Sequence, residues 1–202
     1  QLGNGAEVVG DVAGWIEKNG ALPAARRARL ALRDSVTDFL SASQPPIGPK
    51  LDATLNEYDR SALAAATFAM KAFVDPSDQV ALVTALVEHF EKKYLVIRAY
   101  DAAQDGLSQI EKMDPPDVAD VVIAASRQRV SEAKAQFEYE RINRDVREGI
   151  ASPDLLAEWI AGHIGHPKEL EARESLIFAW LNVTRRQAAP GRDASLSDAD
   201  LK

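Results

Sequence analysis

Apolar residues recur along this chain in steps of three and four almost everywhere, and nowhere in strict alternation. The first rhythm belongs to an amphipathic helix and the second to a half-buried strand, so the pattern predicts an all-α protein. It begins with Val8, Val9, Val12, Trp15 and Ile16 on one face of a helix over 6–18, which Asn19-Gly20 should stop. A second helix opens at Pro23, a residue tolerated in a first turn, and runs to about Ala42 on Leu30, Val36, Phe39 and Leu40. Three prolines and a glycine in the stretch 44–50 (QPPIGPK) then forbid helix. A third helix over 51–74 carries Leu55, Tyr58, Ala62, Ala65, Ala66, Ala69 and Phe73, with the alanines allowing a neighbour to approach closely.

After Asp75-Pro76-Ser77-Asp78, a stop that also offers N-caps, comes the clearest pattern in the chain. Val80, Val83, Val87, Phe90, Tyr94 and Ile97 form an a/d seam, and Leu82 and Leu86 add a second row, as in a bundle helix with two neighbours. Tyr100, Ala103, Leu107 and Ile110 continue in a different phase, so one helix over 77–112 should kink near Gly106. Asp114-Pro115-Pro116-Asp117 breaks the chain before a long helix over 116–150. Its inward positions are Val118, Val121, Val122, Ala125, Val130, Ala133, Phe137, Ile142, Val146 and Ile150, and its other faces are densely charged. Gly149 and Ser152-Pro153-Asp154 separate it from a short helix ending at Gly165-His166-Pro167. A last helix over 168–187 then points Leu170, Ile177, Trp180, Leu181 and Val183 inward. The remainder, 188–202, holds too few apolar residues to pack and reads as a flexible tail.

The predicted architecture is a helical bundle of about six or seven helices around a long antiparallel hairpin, whose arms start near Ser77 and Pro116. Residues 1–187 form one domain, with an N-terminal helical subdomain over 1–75 as the alternative division. A helix of ~35 residues is ~50 Å long, more than a compact chain of 202 residues needs. It should therefore kink or pack on a partner.

Composition narrows the function more by exclusion than by indication. There is no cysteine, which removes disulfides, thiolate metal sites and a cysteine nucleophile. The net charge of −7 speaks against a dedicated binder of nucleic acid or of anionic membranes. Even the nearly continuous apolar run from Leu63 to Met70, which only Thr67 interrupts, is far short of the ~20 residues of a membrane span. Alanine- and arginine-rich usage suits a bacterial source. The compartment stays open between cytoplasm and, if Gln1 follows a cleaved signal peptide, periplasm or secretion.

Each chemistry-bearing pattern also has a structural explanation. His163 and His166 stand three apart, a spacing two metal ligands can use, yet no third ligand accompanies them at a matching offset except Glu158. On the structural reading His163 extends the face of Leu156, Trp159 and Ile160, while His166 caps the helix end. A di-iron bundle requires Glu three residues before His. Leu86 stands there before His89, and Ile160 before His163. Gly3-Asn4-Gly5 and Gly48-Pro49-Lys50 lack the spacing of nucleotide-binding loops. Arg26, Arg29 and Arg33 fall on one face of the second helix and could hold phosphates or an acidic partner; a solvated face or pairing with the chain's own carboxylates is the commoner use.

No catalytic residue, cofactor or metal is assigned from these patterns. The reading is of a protein–protein interaction, scaffold or regulatory module without catalytic activity. It binds another protein or itself through helix faces, with an exposed apolar patch expected along 77–112 or 116–150. One alternative is a small-molecule-binding or enzymatic bundle with an internal cavity lined by Tyr58, Tyr94, Tyr100, Trp159 or Trp180. The other is nucleic-acid binding through the arginine stripe.

Overall fold

The computed structural model describes the backbone of residues 3–42 and 54–188. Among these there are eight helices and no strand: α1 (Gly3–Asn19), α2 (Pro23–Ala42), α3 (Glu57–Ala72), α4 (Pro76–Val96), α5 (Tyr100–Glu111), α6 (Asp117–Arg147), α7 (Asp154–Gly162) and α8 (Glu169–Ala188). The all-α expectation holds. The proline-rich stretch 44–50 and the tail beyond Ala188 lie outside the described residues, as do the side chains of Phe39 and Leu40.

The chain divides into two compact units, Gln1–Lys134 and Ala135–Lys202, so the division falls inside α6. In the first unit α3 touches α1, α2 and α4. Its alanines Ala62, Ala65, Ala66 and Ala69 are buried and let those neighbours come close. A capping box starts this helix: Asn56 Oδ1 accepts from the Asp59 amide at 2.9 Å, and Asp59 Oδ2 accepts from the Asn56 amide at 3.2 Å. Side chains from other helices satisfy its last carbonyls. Gln79 Nε2 donates to Met70 O and Phe73 O, and Arg29 Nε donates to Ala72 O at 3.1 Å.

The stretch 77–112 is two helices rather than one, which accounts for the eighth element. The break lies at Arg98 and not at Gly106. Arg98 adopts a left-handed φ of 59°, its amide donates to Leu95 O, and the Ala99 amide donates to Tyr94 O. This is a Schellman C-cap with arginine where glycine is usual, so the sequence carried no glycine to announce it. Gly106 serves packing instead: a Cβ there would lie 2.7 Å from the Phe90 ring. The antiparallel partner of α6 is α5. Asp101 pairs with Lys134, Gln104 Nε2 donates to Arg127 O, and Glu111 pairs with Arg127, so one helix runs up as the other runs down.

The buried positions of α6 change rhythm where the chain divides. Ala119, Ile123, Ser126 and Val130 keep steps of three and four; after a step of five, Ala135, Tyr139 and Asn143 resume them. A single inward row could not represent both, and Val118, Val121 and Ile150, expected inside, are exposed. In the second unit Ala135, Tyr139, Leu156, Trp159, Ile160 and Ala172 form the core, with Ile142, Val146 and Leu176 packed against it. Trp159 Nε1 donates to Ala135 O at 3.1 Å, which satisfies the indole inside that core.

Candidate interaction surface

The last helix departs most from its expected orientation. Its inward residues are Ala172, Ser175, Leu176 and Ala179, and the three small ones bring α8 close to its neighbours. Leu170, Ile177, Phe178, Trp180 and Leu181 face away from the core, at 70%, 60%, 67%, 44% and 47% exposure. At 100° per residue, Leu170, Ile177 and Leu181 fall on one line, flanked by Phe178 on one side and Trp180 on the other. Between Leu176 and Val183 the one polar residue is Asn182, so the helix is apolar on its inner and outer sides alike. A helix apolar all round is normally buried all round. The uncovered row was thus legible as an excess of apolar residues, but one sequence gives no sign of which side faces the core.

Beside this row lies a depression of about 430 Å³ lined by Asn143, Val146, Arg147, Ser175, Phe178 and Val183, among others. Tyr139 anchors its neighbourhood. Its hydroxyl accepts from Asn143 Nδ2 at 3.1 Å, and it lies 3.2 Å from both Ser175 Oγ and the Glu171 carboxylate. Burial pushes the Tyr139 hydroxyl above its usual pKa, so it stays protonated and can donate to Glu171. Asn143 Oδ1 is buried without a hydrogen-bond partner.

His163 and His166 wrap Trp159 in this same unit. The His163 ring stacks on the indole at 4.6 Å between centroids and 16° between planes, and its Nδ1 lies 2.8 Å from Trp159 O. His166 meets the indole edge-on at 5.3 Å, and its Nδ1 accepts from the Lys168 amide. Both rings thus have a nitrogen engaged with backbone. Among the described residues no three metal-ligating side chains converge.

In the first unit, Arg29 is turned to the α3 carbonyl end, and Arg33 pairs with Asp34 and with Asp78 at 2.9 Å. Its bonds to Asp34 and then Asp78 raise the guanidinium above its ordinary pKa. Arg26 lies on a shallow hollow shared with Asp75 and Asp78, whose carboxylates would repel a phosphate.

The five aromatic residues expected around an internal cavity are divided between the units. Tyr94 and Tyr100 are buried and Tyr58 half-buried in the first; in the second, Trp159 is in the core and Trp180 is exposed. Tyr94 belongs to a buried polar cluster that sequence reading missed. The Asp59 carboxylate receives Lys93 Nζ at 2.6 Å and the Tyr94 hydroxyl, while His89 Nε2 stands 3.5 Å away. Burial alone would push Asp59 up, but His89, Lys93 and Tyr94 hold its pKa down at about 2. Burial and the adjacent Asp59 push the Tyr94 hydroxyl up. Lys93 and Tyr94 donate to one carboxylate that also closes the Asn56 capping box, so the cluster joins α3 to α4; His89 Nε2 beside them is buried without a hydrogen-bond partner among the described residues.

No protein-family model, curated protein or solved structure matches the chain. Among the described residues no helix is long and apolar enough to cross a membrane.

Proposed function

We propose that this chain is a helical interaction module without catalytic activity, and that the outer face of α8 is its binding surface. One observation carries the reading: five large apolar side chains, Leu170, Ile177, Phe178, Trp180 and Leu181, stand exposed together on a helix that is also apolar inside. Apolar area of this kind is costly to leave in water at ~25 cal/mol per Å², and contiguous patches of a few hundred Å² mark interaction sites. Of the two stretches where such a patch was expected, 77–112 has its seam residues Val83, Val87, Phe90, Tyr94 and Ile97 buried and Val80 half-buried, and 116–150 exposes Val118 and Val121; the larger group stands on α8.

Affinity capture from source extract after nuclease treatment tests this, with wild type and Ile177→Asp as baits. The reading requires a stoichiometric protein, including untagged copies of the chain itself, that the wild type holds and the variant loses. Identical recoveries on both baits would refute it.

A second reading, binding of a small molecule beside α8, draws on the 430 Å³ depression and the unpartnered Asn143 Oδ1 near it. Its volume is within the ~300–1,000 Å³ of ligand sites. Native mass spectrometry of gently purified protein tests it: a bound mass lost with Asn143→Leu would favour it, and bare protein would count against it. Nucleic-acid binding has less support, because Arg29 is bonded to the α3 carbonyl end and Arg33 is paired with Asp34 and Asp78.

A further inference from the structure

We infer that the outer face of α8 is covered by α8 of a second copy of this chain, packed antiparallel across a two-fold axis near Ala179. The inference rests on the proposal that this face is an interface, and adds the identity of what covers it. Its warrant is charge placement. Glu174 and Arg185 are both exposed, and neither forms an ion pair among the described residues. They are eleven residues apart, which is 1,100° of helix, so they project along nearly the same direction. That direction borders the Leu170–Ile177–Leu181 line on the side of Phe178. The two charges bracket the stretch from Ile177 to Leu181, three residues before Ile177 and four after Leu181, and Leu170 lies outside them.

In an antiparallel pair, residues on the same flank of the two helices meet. A two-fold axis between Phe178 and Leu181 then sets Glu174 of each copy against Arg185 of the other, forming two ion pairs at once. Phe178 comes to lie against its own counterpart near the axis, and Trp180 does the same on the opposite flank. A parallel pair would instead put this flank of the two copies on opposite sides of the seam, so that neither Glu174 nor Arg185 meets a charge of its counterpart flank. The row is therefore self-complementary in one orientation only, as an isologous interface requires.

Area is consistent with this. At ~150–250 Å² for a large aromatic side chain and less for leucine and isoleucine, the exposed parts of Ile177, Phe178, Trp180 and Leu181 amount to at most roughly 500 Å² per copy. A pair would cover at most about 1,000 Å², the size of a weak specific interface, so the association should be reversible and concentration-dependent.

Sedimentation equilibrium on the full chain tests the inference, using wild type, Glu174→Arg, Arg185→Glu, their double variant, and an equimolar mixture of the two single variants. Wild type is expected as a reversible dimer. Each single reversal replaces two attractions by two repulsions and should weaken association about tenfold or more. The double variant and the mixture should both recover it, since each restores unlike charges across the axis. Circular dichroism confirms that the singles fold, which these exposed positions should allow. A wild type that stays monomeric, or a dimer indifferent to all four changes, would overturn the inference. A monomer that still captures another protein, lost with Ile177→Asp, would overturn the second copy while leaving the binding surface in place.

Discussion

Lys93 places its ammonium 2.6 Å from Asp59 Oδ1, with neither side chain reaching solvent. Taking two charges out of water is expensive, and their attraction repays the cost only when the remaining bonds are made. Here they are: Tyr94 and the Asn56 amide occupy Asp59 Oδ2, while the Lys93 ammonium also lies 5.8 Å from the centre of the Tyr58 ring. Removing one partner strands the other. Asp59→Ala is expected to cost about 3–5 kcal/mol in urea unfolding, whereas Asp59→Leu combined with Lys93→Met should cost clearly less than Asp59→Ala alone. Equal losses would show that the ion pair is not what holds α3 to α4.

The same carboxylate gives the fold an acid dependence. Its pKa falls from 3.8 to about 2 on folding, so its contribution is complete above the unfolded value and lost as pH drops through the folded one. The difference corresponds to roughly 2 kcal/mol. Between pH 5 and pH 2 the urea midpoint of wild type should fall more steeply than that of Asp59→Asn. Parallel decline of the two would contradict the assignment.

Gly106 and Phe90 form a contact with no spare room. Alanine normally favours a helix over glycine by up to ~1 kcal/mol, but here the new methyl would meet the fully buried Phe90 ring at 2.7 Å. Gly106→Ala should therefore lower thermal stability by about 1–3 kcal/mol. Phe90→Leu in the same chain should recover part of that loss. A stabilised Gly106→Ala would mean α4 and α5 are packed less tightly.

The two tryptophans of the C-terminal unit should separate stability from association. Trp159 is in the core, stacked by His163 and bonded to Ala135 O, and Trp159→Ala should cost about 3–5 kcal/mol in denaturant unfolding. Trp180 is 44% exposed, and Trp180→Ala should change unfolding by less than ~1 kcal/mol while weakening complex formation. Large losses of stability at both positions would show that Trp180 is structural.

Much of the fold was legible because the signals were local. Pro23, Pro76 and Ser152-Pro153-Asp154 punctuate the helices where the structure does, and the seam Val80–Val83–Val87–Phe90–Tyr94–Ile97 is buried as its spacing demanded except at Val80, which is half-buried. What was missed depends on tertiary context. Arg98 takes a conformation usually reserved for glycine, so a helix end was hidden inside a continuous pattern. The helix α6 contributes to two cores, and its step from Val130 to Ala135 breaks the periodicity on which an inward face is judged. Asp59 and Lys93 are 34 residues apart, and nothing in their neighbours announces that they meet. The candidate surface was half legible: the apolar surplus of 176–183 is plain in the sequence, but its outward side emerges only once Ala172, Ser175 and Ala179 are seen to face the core.

The central claim is that the outer face of α8 is covered in the working state of the protein. Hydroxyl-radical footprinting tests it most directly, comparing the chain in native extract with the purified chain at high dilution. Leu170, Ile177, Phe178, Trp180 and Leu181 should be oxidised severalfold less in extract, while Val96, Val118 and Val121, exposed elsewhere, react alike in both. Equal oxidation of the α8 residues in both settings would contradict the account.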